Sequence, residues 1–548
     1  MMLRLNSNEG VSASPELLAD LAGADIELLR RYPDVAPLEQ TLAAMFGVGA
    51  ERVIVTAGAD EAIDRICRAY LEPGRTLLLP DPSFDMFDRF AALANGEVTR
   101  VPWTADAFPA DAFESQIDAR TAVIAIVSPN NPTGGVATLA DVRRVAAKAP
   151  NALILLDHAY VEYADHDLTF GVSDLANVVV VRTLSKAWGL AGCRIGYAVG
   201  EASVIAVLRA AGGPYPVAGP SIALALARLR NGAASLRPHV TRIREERAAL
   251  SAQLAARGVR VRASQANFVL ADFGTRASFV WAALRGQNVL VRDFPGRPSL
   301  EGQLRITLPG DSRDFSQLSE ALDLALAPDA LVFDLDGVLA DVRDSQRATI
   351  IETARSYGVT ITQDDIAAAM RAGDASNDWI LTRRLLADHG VRASLADVTA
   401  RFQTTYLGTP AAAGLREREQ LLCSCDLLAE LSARLPTAIV TGRPGDEARW
   451  FIERAGITGS FRTLVCMEDA AAKPDPAPVR LATQRLGAQR AWMLGNTPDD
   501  VRAALGAGAL PLGIVAPGDD VPSTTAALVD AGAARVLRDV AELRELLP

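Results

Sequence analysis

Several features that mark whole classes of protein are missing from this chain of 548 residues. It has no basic run and a net charge of −11, so we expect no binding to nucleic acid, which depends on clustered lysine and arginine. Its apolar runs, such as those at 152–156 and 178–181, have the length of buried strands and fall short of a membrane span. The first nine residues turn polar too early for a signal peptide. We therefore expect a soluble cytoplasmic protein.

Cysteine is also scarce, and its spacing argues against a structural role. The five cysteines are scattered along the chain: Cys67, Cys193, Cys423, Cys425 and Cys466. The Cys423-x-Cys425 pair has no second pair or histidine cluster near it, which disfavours a zinc site. Reduced thiols are the simpler interpretation.

What is present is an α/β chain of several domains. Length alone suggests three or four, and the 49% of hydrophobic residues is typical of globular protein. Short apolar runs alternate with helical Ala/Leu/Arg stretches, which predicts a mostly parallel sheet. A mixed α+β region follows at 259–307, then a helix to Pro328, where a second α/β unit begins without a Gly/Ser linker. Helical residues at about 346–425 interrupt that unit and read as an inserted cap.

The most specific motif of the first half surrounds Lys186. Arg182-Thr-Leu-Ser185-Lys186 is followed by Arg194 eight positions after the lysine. A lysine amine binds an aldehyde cofactor covalently, while Ser185 and Arg194 suit its phosphate group. The pattern predicts a pyridoxal 5′-phosphate site.

Other residues support this cofactor. Asp157 ends a predicted strand and suits a protonated pyridine nitrogen, and Gly58 opens a helix whose free N–H groups suit phosphate. Each residue alone also has a structural reading, such as an N-cap, a turn or a core aromatic, but their joint occurrence favours the cofactor. The full predicted cofactor set is Tyr32, Gly58, Ala59, Asp60, Phe84, Asn131, Asp157, Tyr160, Thr183, Ser185, Lys186 and Arg194.

Together these residues resemble the fold type I aminotransferases, specifically the histidinol-phosphate aminotransferases. The resemblance runs from about Leu5 to Leu324 and includes the segments 6–9, 31–34, 128–134 and 214–216. It implies a homodimer in which Tyr32 reaches the neighbouring subunit's cofactor phosphate. It also implies a large α/β domain at about 30–235 and a small α+β domain formed by about 1–29 and 236–327. The implied substrate contacts in this unit are Asn8, Glu9, Arg292 and Arg305.

Three departures from that family concern the substrate entrance and not the cofactor. The family usually has a longer N-terminal segment that supplies a tyrosine to the substrate phosphate. Gly10 stands where a bulkier residue is common, and His158 follows Asp157 where the family usually has glutamate. We interpret His158 as a local change in hydrogen bonding rather than a catalytic group.

A second motif, Phe333-Asp334-Leu335-Asp336-Gly337, follows an apolar run far inside the chain. A strand that ends in this pair places both carboxylates on the same side of the chain, and a hard cation such as Mg²⁺ suits them. From Ala330 onward the chain resembles the haloacid dehalogenase superfamily, which implies a Rossmann-like α/β domain at 329–548. The resemblance makes Asp334 the nucleophile and Asp336 the acid/base, with Thr441, Gly442 and Lys473 holding the phosphoryl group.

The predicted metal ligands of this second site are Asp334, Asp336, Asn496 and Asp500. The family commonly has aspartate where this chain has Asn496, so one negative charge is missing. In the cap, the polar segment 373–379, which includes Asn377, Asp378 and Trp379, is either a substrate contact or a solvated turn.

The leading hypothesis is a bifunctional enzyme that acts on one phosphorylated metabolite. One unit would interconvert histidinol phosphate and imidazole acetol phosphate with 2-oxoglutarate and glutamate, and the other would remove the phosphate with Mg²⁺. A decarboxylase or a specialised-metabolism aminotransferase is the alternative for the first unit. A non-catalytic module, or a hydrolase of another phosphate ester, is the alternative for the second.

Overall fold

The computed structural model describes residues 2–10, 12, 15–23, 25–373 and 377–547, without the side chains at 20 and 233. It divides into two compact units. The first comprises Met1–Ala277 and Leu290–Leu318, and the second Ser278–Val289 and Ser319–Pro548. The boundary at 327–329 that the sequence suggests remains a prediction. Within the described ranges, no helix combines the length and the apolar character needed to cross a membrane.

The first unit is built on a sheet with the strand order β2-β8-β7-β6-β5-β3-β4. All its pairings are parallel except those of β8. Smaller antiparallel strands, β9, β10 and β12, form a separate sheet. The strands are β1 Leu3–Leu5, β2 Val53–Ala57, β3 Thr76–Asp81, β4 Glu97–Pro102, β5 Thr121–Val127, β6 Leu153–Asp157, β7 Val178–Thr183, β8 Ile195–Val199, β9 Arg260–Val261, β10 Phe268–Asp272, β11 Val289–Val291 and β12 Gln303–Thr307.

Helices follow most of these strands, as the alternating sequence pattern predicts. They are α1 Glu16–Ala22, α2 Ala36–Phe46, α3 Gly58–Tyr70, α4 Met86–Leu93, α5 Ala110–Gln116, α6 Leu139–Lys148, α7 Ala202–Ala210, α8 Gly219–Asn231, α9 Ala233–Ala256, α10 Ala277–Gly286 and α11 Ser312–Leu326.

The large sheet is covered on both faces. Successive residues of β5 point to opposite sides, so Val123 and Ala125 pack in one core and Ile124 and Ile126 in the other. Both cores are apolar, which explains why this strand is an uninterrupted apolar run. The carboxyl ends of its parallel neighbours therefore meet at one edge, where the chain turns polar.

The second unit has a parallel sheet with the order β19-β18-β13-β20-β21-β22. The strands are β13 Ala330–Phe333, β14 Ala340–Asp341, β15 Gly408–Thr409, β16 Ala412–Ala413, β17 Gln420–Leu421, β18 Thr437–Val440, β19 Thr463–Val465, β20 Ala491–Gly495, β21 Leu510–Ile514 and β22 Arg535–Leu537. The helices outside the cap are α16 Cys425–Arg434, α17 Gly445–Arg454, α18 Ala477–Leu486, α19 Pro498–Ala507, α20 Val521–Ala531 and α21 Leu543–Leu546.

The segment between β13 and β18 carries the helices α12 Ala348–Ser356, α13 Gln363–Ala372, α14 Asp378–Asp388 and α15 Leu395–Leu407. They enclose a core of their own, which includes Ile350, Leu381 and Phe402. This agrees with the helical insertion expected at about 346–425. The short strand pairs β14–β17 and β15–β16 in this region were not anticipated.

Within the second unit, Trp492 on β20 packs against the end of α11 and against α10. Its ring is 1% exposed, its Nε1 donates to the carbonyl of Leu324 at 2.7 Å, and it packs edge-on against Phe279 at 5.2 Å between ring centroids. Phe279 belongs to the segment Ser278–Val289, so these contacts agree with the place of that segment in the second compact unit.

We predict that Trp492→Ala destabilises the second unit by about 3–5 kcal/mol, because a large buried ring is replaced by a cavity. Its thermal transition should fall by about 10 °C in scanning calorimetry. Trp492→Phe keeps most of the apolar volume but leaves the Leu324 carbonyl without its indole donor, so its effect should be smaller. Equal melting of all three proteins would contradict this account.

Candidate active sites

The first unit contains a cavity of about 250 Å³ at the polar edge of its large sheet. Most of the residues that the sequence singled out line it. They are Asn8, Ala59, Asp60, Phe84, Asn131, Asp157, Tyr160, Thr183, Ser185, Lys186, Arg194, Arg292 and Arg305.

Lys186 and Asp157 give the cavity its reactive groups. Lys186 follows β7, and its Nζ lies 3.3 Å from the carbonyl of Ser7 and 5.5 Å from the ring centroid of Tyr160. Asp157, the last residue of β6, is buried and accepts from the backbone N–H of Ala159 at 2.9 Å. Burial raises the pKa of Asp157 to about 6. No lysine or arginine among the described residues forms an ion pair with Asp157, and such a buried carboxylate is suited to a protonated ring nitrogen.

The amino end of α3 forms the anion-binding side. Gly58 has φ +79°, and a Cβ there would lie 2.5 Å from the Arg194 guanidinium. Arg194 donates to Asp60 at 3.1 Å, and Thr183 donates to Ser185 at 2.8 Å. Hydroxyl groups, a guanidinium and free helix N–H groups are the donors that bind a phosphate group. The residues present therefore fit an aldehyde cofactor that carries a phosphate.

Arg305 is buried beside the cavity, on the side of β12. Its Nη1 donates to Asn131 Oδ1 at 2.5 Å and its Nη2 to the carbonyl of Asn6 at 2.8 Å. Burial lowers its pKa to about 10. Asn8 donates to the Tyr160 hydroxyl at 3.0 Å. Arg305 thus fixes the carboxamide of Asn131 through its oxygen, and both Asn131 and Tyr160 line the cavity as candidate partners for a ring hydroxyl.

Some sequence-predicted residues lie outside the cavity wall. Glu9 is exposed, and Tyr32 is 80% exposed and stacks on Tyr215 at 4.5 Å between ring centroids. His158 is buried, with Nδ1 3.4 Å from the Thr169 hydroxyl, and burial lowers its pKa to about 3. A neutral, enclosed imidazole agrees with a local hydrogen-bonding role.

Gly10 has a steric role that the sequence did not reveal. A Cβ at this position would lie 1.8 Å from the backbone oxygen of Lys186. Glycine therefore lets the N-terminal segment around position 10 approach the lysine backbone closely.

The second unit contains a cavity of about 70 Å³ between the sheet edge and the helical insertion. Residues from the sheet edge that line it are Asp334, Asp336, Gly442, Arg443, Lys473, Asn496, Thr497 and Asp500. The insertion and α17 contribute Gln346, Arg347, Met370, Asn377, Asp378, Trp379, Phe402 and Glu447.

Lys473 joins two carboxylates at the end of the sheet. Its Nζ lies 2.6 Å from Asp334 Oδ1 and 2.5 Å from Asp500 Oδ1. Burial raises the pKa of Asp334, an effect that the Lys473 charge opposes. Asp500 also caps α19, accepting from the Thr497 hydroxyl at 2.7 Å.

Asp336 is held by Arg443, whose Nε donates to its Oδ1 at 2.8 Å. Arg443 also pairs with the buried Glu419 at 2.9 Å. When the Gln346 amide is oriented to accept from Arg443, its nitrogen lies 3.2 Å from Asp336 and 3.3 Å from Asp378. Thr441, just after β18, accepts from the Arg443 backbone N–H at 3.1 Å.

Some of the metal ligands expected from the sequence are already engaged by other side chains. Asn496 Oδ1 is buried and has no hydrogen-bond partner among the described atoms, so it suits a hard cation. A Cβ at Gly337 would lie 2.4 Å from the Asn496 amide nitrogen, so this glycine is needed at that spacing. The Asp336 and Asp500 side chains are engaged by Arg443 and Lys473. In the parts of the chain that the structure describes, no cluster of three or more His, Cys, Asp or Glu is arranged to hold a metal ion.

The insertion brings two further carboxylates to this cavity. Asp378 begins α14, and burial followed by the Asp336 charge raises its pKa to about 7. Burial also raises the pKa of Glu447 to about 7, and Glu447 accepts from Gln403 at 2.7 Å. Asn377, Asp378 and Trp379 of the polar segment line the cavity, whereas its residues 374–376 lie outside the described residues.

Sequence reasoning missed Gln346, Arg443 as a partner of Asp336, and Glu447. Arg443 was adjacent to a recognised motif, and an arginine beside a phosphoryl-binding hydroxyl is a usable signal. Gln346 and Glu447 come from helices far apart in the sequence, and nothing local distinguishes them from ordinary helix residues.

Family models match both units. The model for "Aminotransferase class I and II" matches residues 2–322, and that for "haloacid dehalogenase-like hydrolase" matches residues 328–508. A curated relative, a histidinol-phosphate aminotransferase from Symbiobacterium thermophilum, is 36% identical over 338 residues, which cover 59% of this chain and 91% of the relative.

Solved structures agree on the fold of the first unit. One is a histidinol-phosphate aminotransferase from Sinorhizobium meliloti in complex with pyridoxal-5′-phosphate, with a TM-score of 0.55, 24% identity, and coverage of 59% of this chain and 90% of that one. Another is an L-threonine-O-3-phosphate decarboxylase from Porphyromonas gingivalis, with a TM-score of 0.51, 24% identity, and coverage of 59% and 98%. The fold therefore does not separate transamination from decarboxylation.

The match over most of the first unit, together with a relative covered almost throughout, decides the family. The chain belongs to the class I and II aminotransferases and continues into a haloacid dehalogenase-like hydrolase domain.

Proposed function

We propose that the chain is a bifunctional enzyme. Its first unit interconverts histidinol phosphate and imidazole acetol phosphate with 2-oxoglutarate and glutamate, and its second unit hydrolyses a phosphate monoester, with histidinol phosphate as the candidate substrate. The observation that carries the first part is the convergence of Lys186, Asp157 and the start of α3 on one cavity. Similarity to curated histidinol-phosphate aminotransferases supports the choice of substrate.

In the first unit the residues would hold pyridoxal 5′-phosphate, which supplies an electron sink for amino-group transfer when bound. Lys186 would bind its aldehyde carbon and move protons at the substrate carbon. Asp157 would pair with the ring nitrogen, and Tyr160, held by Asn8, with the ring hydroxyl. Ser185, Arg194 and the α3 N–H groups would hold the phosphate.

The remaining groups of the first unit would act on substrate and partner. Arg305, whose charge is enclosed and fixed by Asn131, would bind the carboxylate of the amino-acid substrate. Arg292 lines the same wall. The exposed Tyr32–Tyr215 stack suits an interface, and we propose a homodimer in which Tyr32 reaches the partner's cofactor.

In the second unit Asp334 would attack phosphorus and Lys473 would offset the charge of the phosphoryl oxygens. Asp336, oriented by Arg443, would move the proton of the leaving oxygen. Mg²⁺, when bound, supplies charge neutralisation, and Asp334 with Asn496 would hold it. The engagement of Asp500 by Lys473, and the amide at position 496, favour a second candidate in which this unit binds phosphorylated metabolites without hydrolysing them.

The first prediction concerns Lys186, one of three lysines in the chain with Lys148 and Lys473. Borohydride reduction of protein loaded with pyridoxal 5′-phosphate should fix the cofactor on the peptide containing Lys186. Lys186→Ala should abolish this labelling and should lower the rate of glutamate-dependent transamination by at least about 10³-fold, since both need the amine. Lys148→Ala, on an exposed helix end, is the control. Labelling confined to Lys148 or Lys473 would contradict the assignment.

The second prediction concerns phosphate release from histidinol phosphate. Asp334→Asn and removal of Mg²⁺ by EDTA should each abolish release, because both remove groups needed for attack at phosphorus. Asn496→Asp should lower the Mg²⁺ concentration needed for half-maximal release by about tenfold or more, because it restores a charged ligand. A silent parent that gains activity with Asn496→Asp would support the binding-module candidate instead. Release that persists in Asp334→Asn would exclude Asp334 as nucleophile.

A further inference from the structure

The charges around the cavity of the second unit do not balance. Among the described residues that line it, the carboxylates are Asp334, Asp336, Asp378, Glu447 and Asp500, and the cations are Arg347, Arg443 and Lys473. Three cations thus face five carboxylates. Mg²⁺ held by Asp334 and Asn496 would offset two negative charges, and a phosphate ester then brings its own negative charge into the cavity.

Each of these cations already has an acidic partner. Lys473 contacts Asp334 and Asp500, and Arg443 contacts Asp336 together with Glu419. Arg347 pairs with Asp519 at 2.5 Å, and both of these side chains are buried. No cation of the wall is therefore left over.

Asp378 and Glu447 are the described carboxylates of the wall without a cation in direct contact, although the Arg443 charge acts on both from a greater distance. In the described part of the chain neither lies within 4.0 Å of a lysine or arginine nitrogen, and their contacts are with the amides of Gln346 and Gln403. Glu447 is buried and Asp378 is half-buried. Carboxylates withdrawn from water without a contacting cation are costly unless a ligand supplies the positive charge.

The same cavity shows an independent sign of a ligand. Asn496 Oδ1, which lines it together with the Asp334 nucleophile, is enclosed without a hydrogen-bond partner among the described atoms. The wall beside Asp378 is formed by Trp379, whose indole ring attracts cations. The cavity thus holds groups that suit a phosphoryl group and, beside Asp336, a carboxylate that suits a positively charged group.

From this arrangement we infer that the cavity selects phosphate esters that carry an ammonium group, and that Asp378, together with Glu447, is the specificity-determining element. The inference rests on the proposed phosphatase function and names its substrate class. An amino alcohol phosphate carries such a cation, whereas the corresponding keto alcohol phosphate does not. The hydrolase would therefore act on the product of amination and spare the ketone.

The test is binding to Asp334→Asn in Mg²⁺ buffer, measured by titration calorimetry so that turnover is not needed. The probes are 2-aminoethyl phosphate and ethyl phosphate, which differ by one ammonium group. We expect the aminoalkyl ester to bind at least about tenfold more tightly, as for an enclosed charge pair. Equal affinities would overturn the inference.

Variants locate the effect. Adding Asp378→Asn to Asp334→Asn should reduce the ratio of the two affinities by about tenfold and leave ethyl phosphate binding within about twofold. Asp388→Asn, at the exposed end of the same helix, is the matched control and should change neither value. An unchanged ratio in a folded Asp378→Asn protein would overturn the assignment. If that variant does not fold, the comparison of the two esters in Asp334→Asn alone still decides.

The outcome separates this inference from the proposed function. Absence of phosphate release by the wild-type protein from any ester, with the affinity ratio preserved, would refute the phosphatase activity and keep the ammonium selectivity. Phosphate release with no difference in affinity between the two esters would support the phosphatase activity and refute the ammonium selectivity.

Discussion

The parallel pairing of strands inside both units brings polar residues together at one edge of each sheet. In the second unit β13 pairs with β18 on one side and β20 on the other, and these strands run directly into Asp334, Thr441 and Asn496. In the first unit β6 ends in Asp157 and β7 leads into Ser185 and Lys186. A shift of one residue in any of these registers would turn the reactive side chains to the other face.

Placing carboxylates at a buried edge creates a requirement for positive charge, which the two units meet differently. The first unit leaves Asp157 without a cation in contact and gives it a cavity, so the compensating charge arrives with a ligand. The second unit supplies Lys473 to Asp334 and Arg443 to Asp336 from its own chain. The carboxylates that remain there, Asp378 and Glu447, are the basis for assigning it a cationic substrate.

The sequence predicted those parts of the sites that follow directly from strand ends. Asp334, Asp157 and Lys186 come at or just after buried strands, whereas Lys473 was predicted from the family resemblance; all four lie on a cavity wall. Roles that depend on packing between distant elements could not be predicted from the sequence. Gly10 read as an unusual residue at an entrance, but its role is the close approach to the Lys186 backbone. The hydrogen bond from Arg305 to Asn131 joins residues far apart in the sequence and could likewise not be predicted from it.

The central claim is that both units serve one metabolite, with amination before hydrolysis. The most direct measurement is phosphate release from imidazole acetol phosphate by the intact, cofactor-loaded protein with Mg²⁺, in the presence and absence of glutamate. The account predicts histidinol and phosphate only when glutamate is present, and none with Lys186→Ala even though Asp334 is intact. Phosphate release at the same rate without glutamate would contradict it.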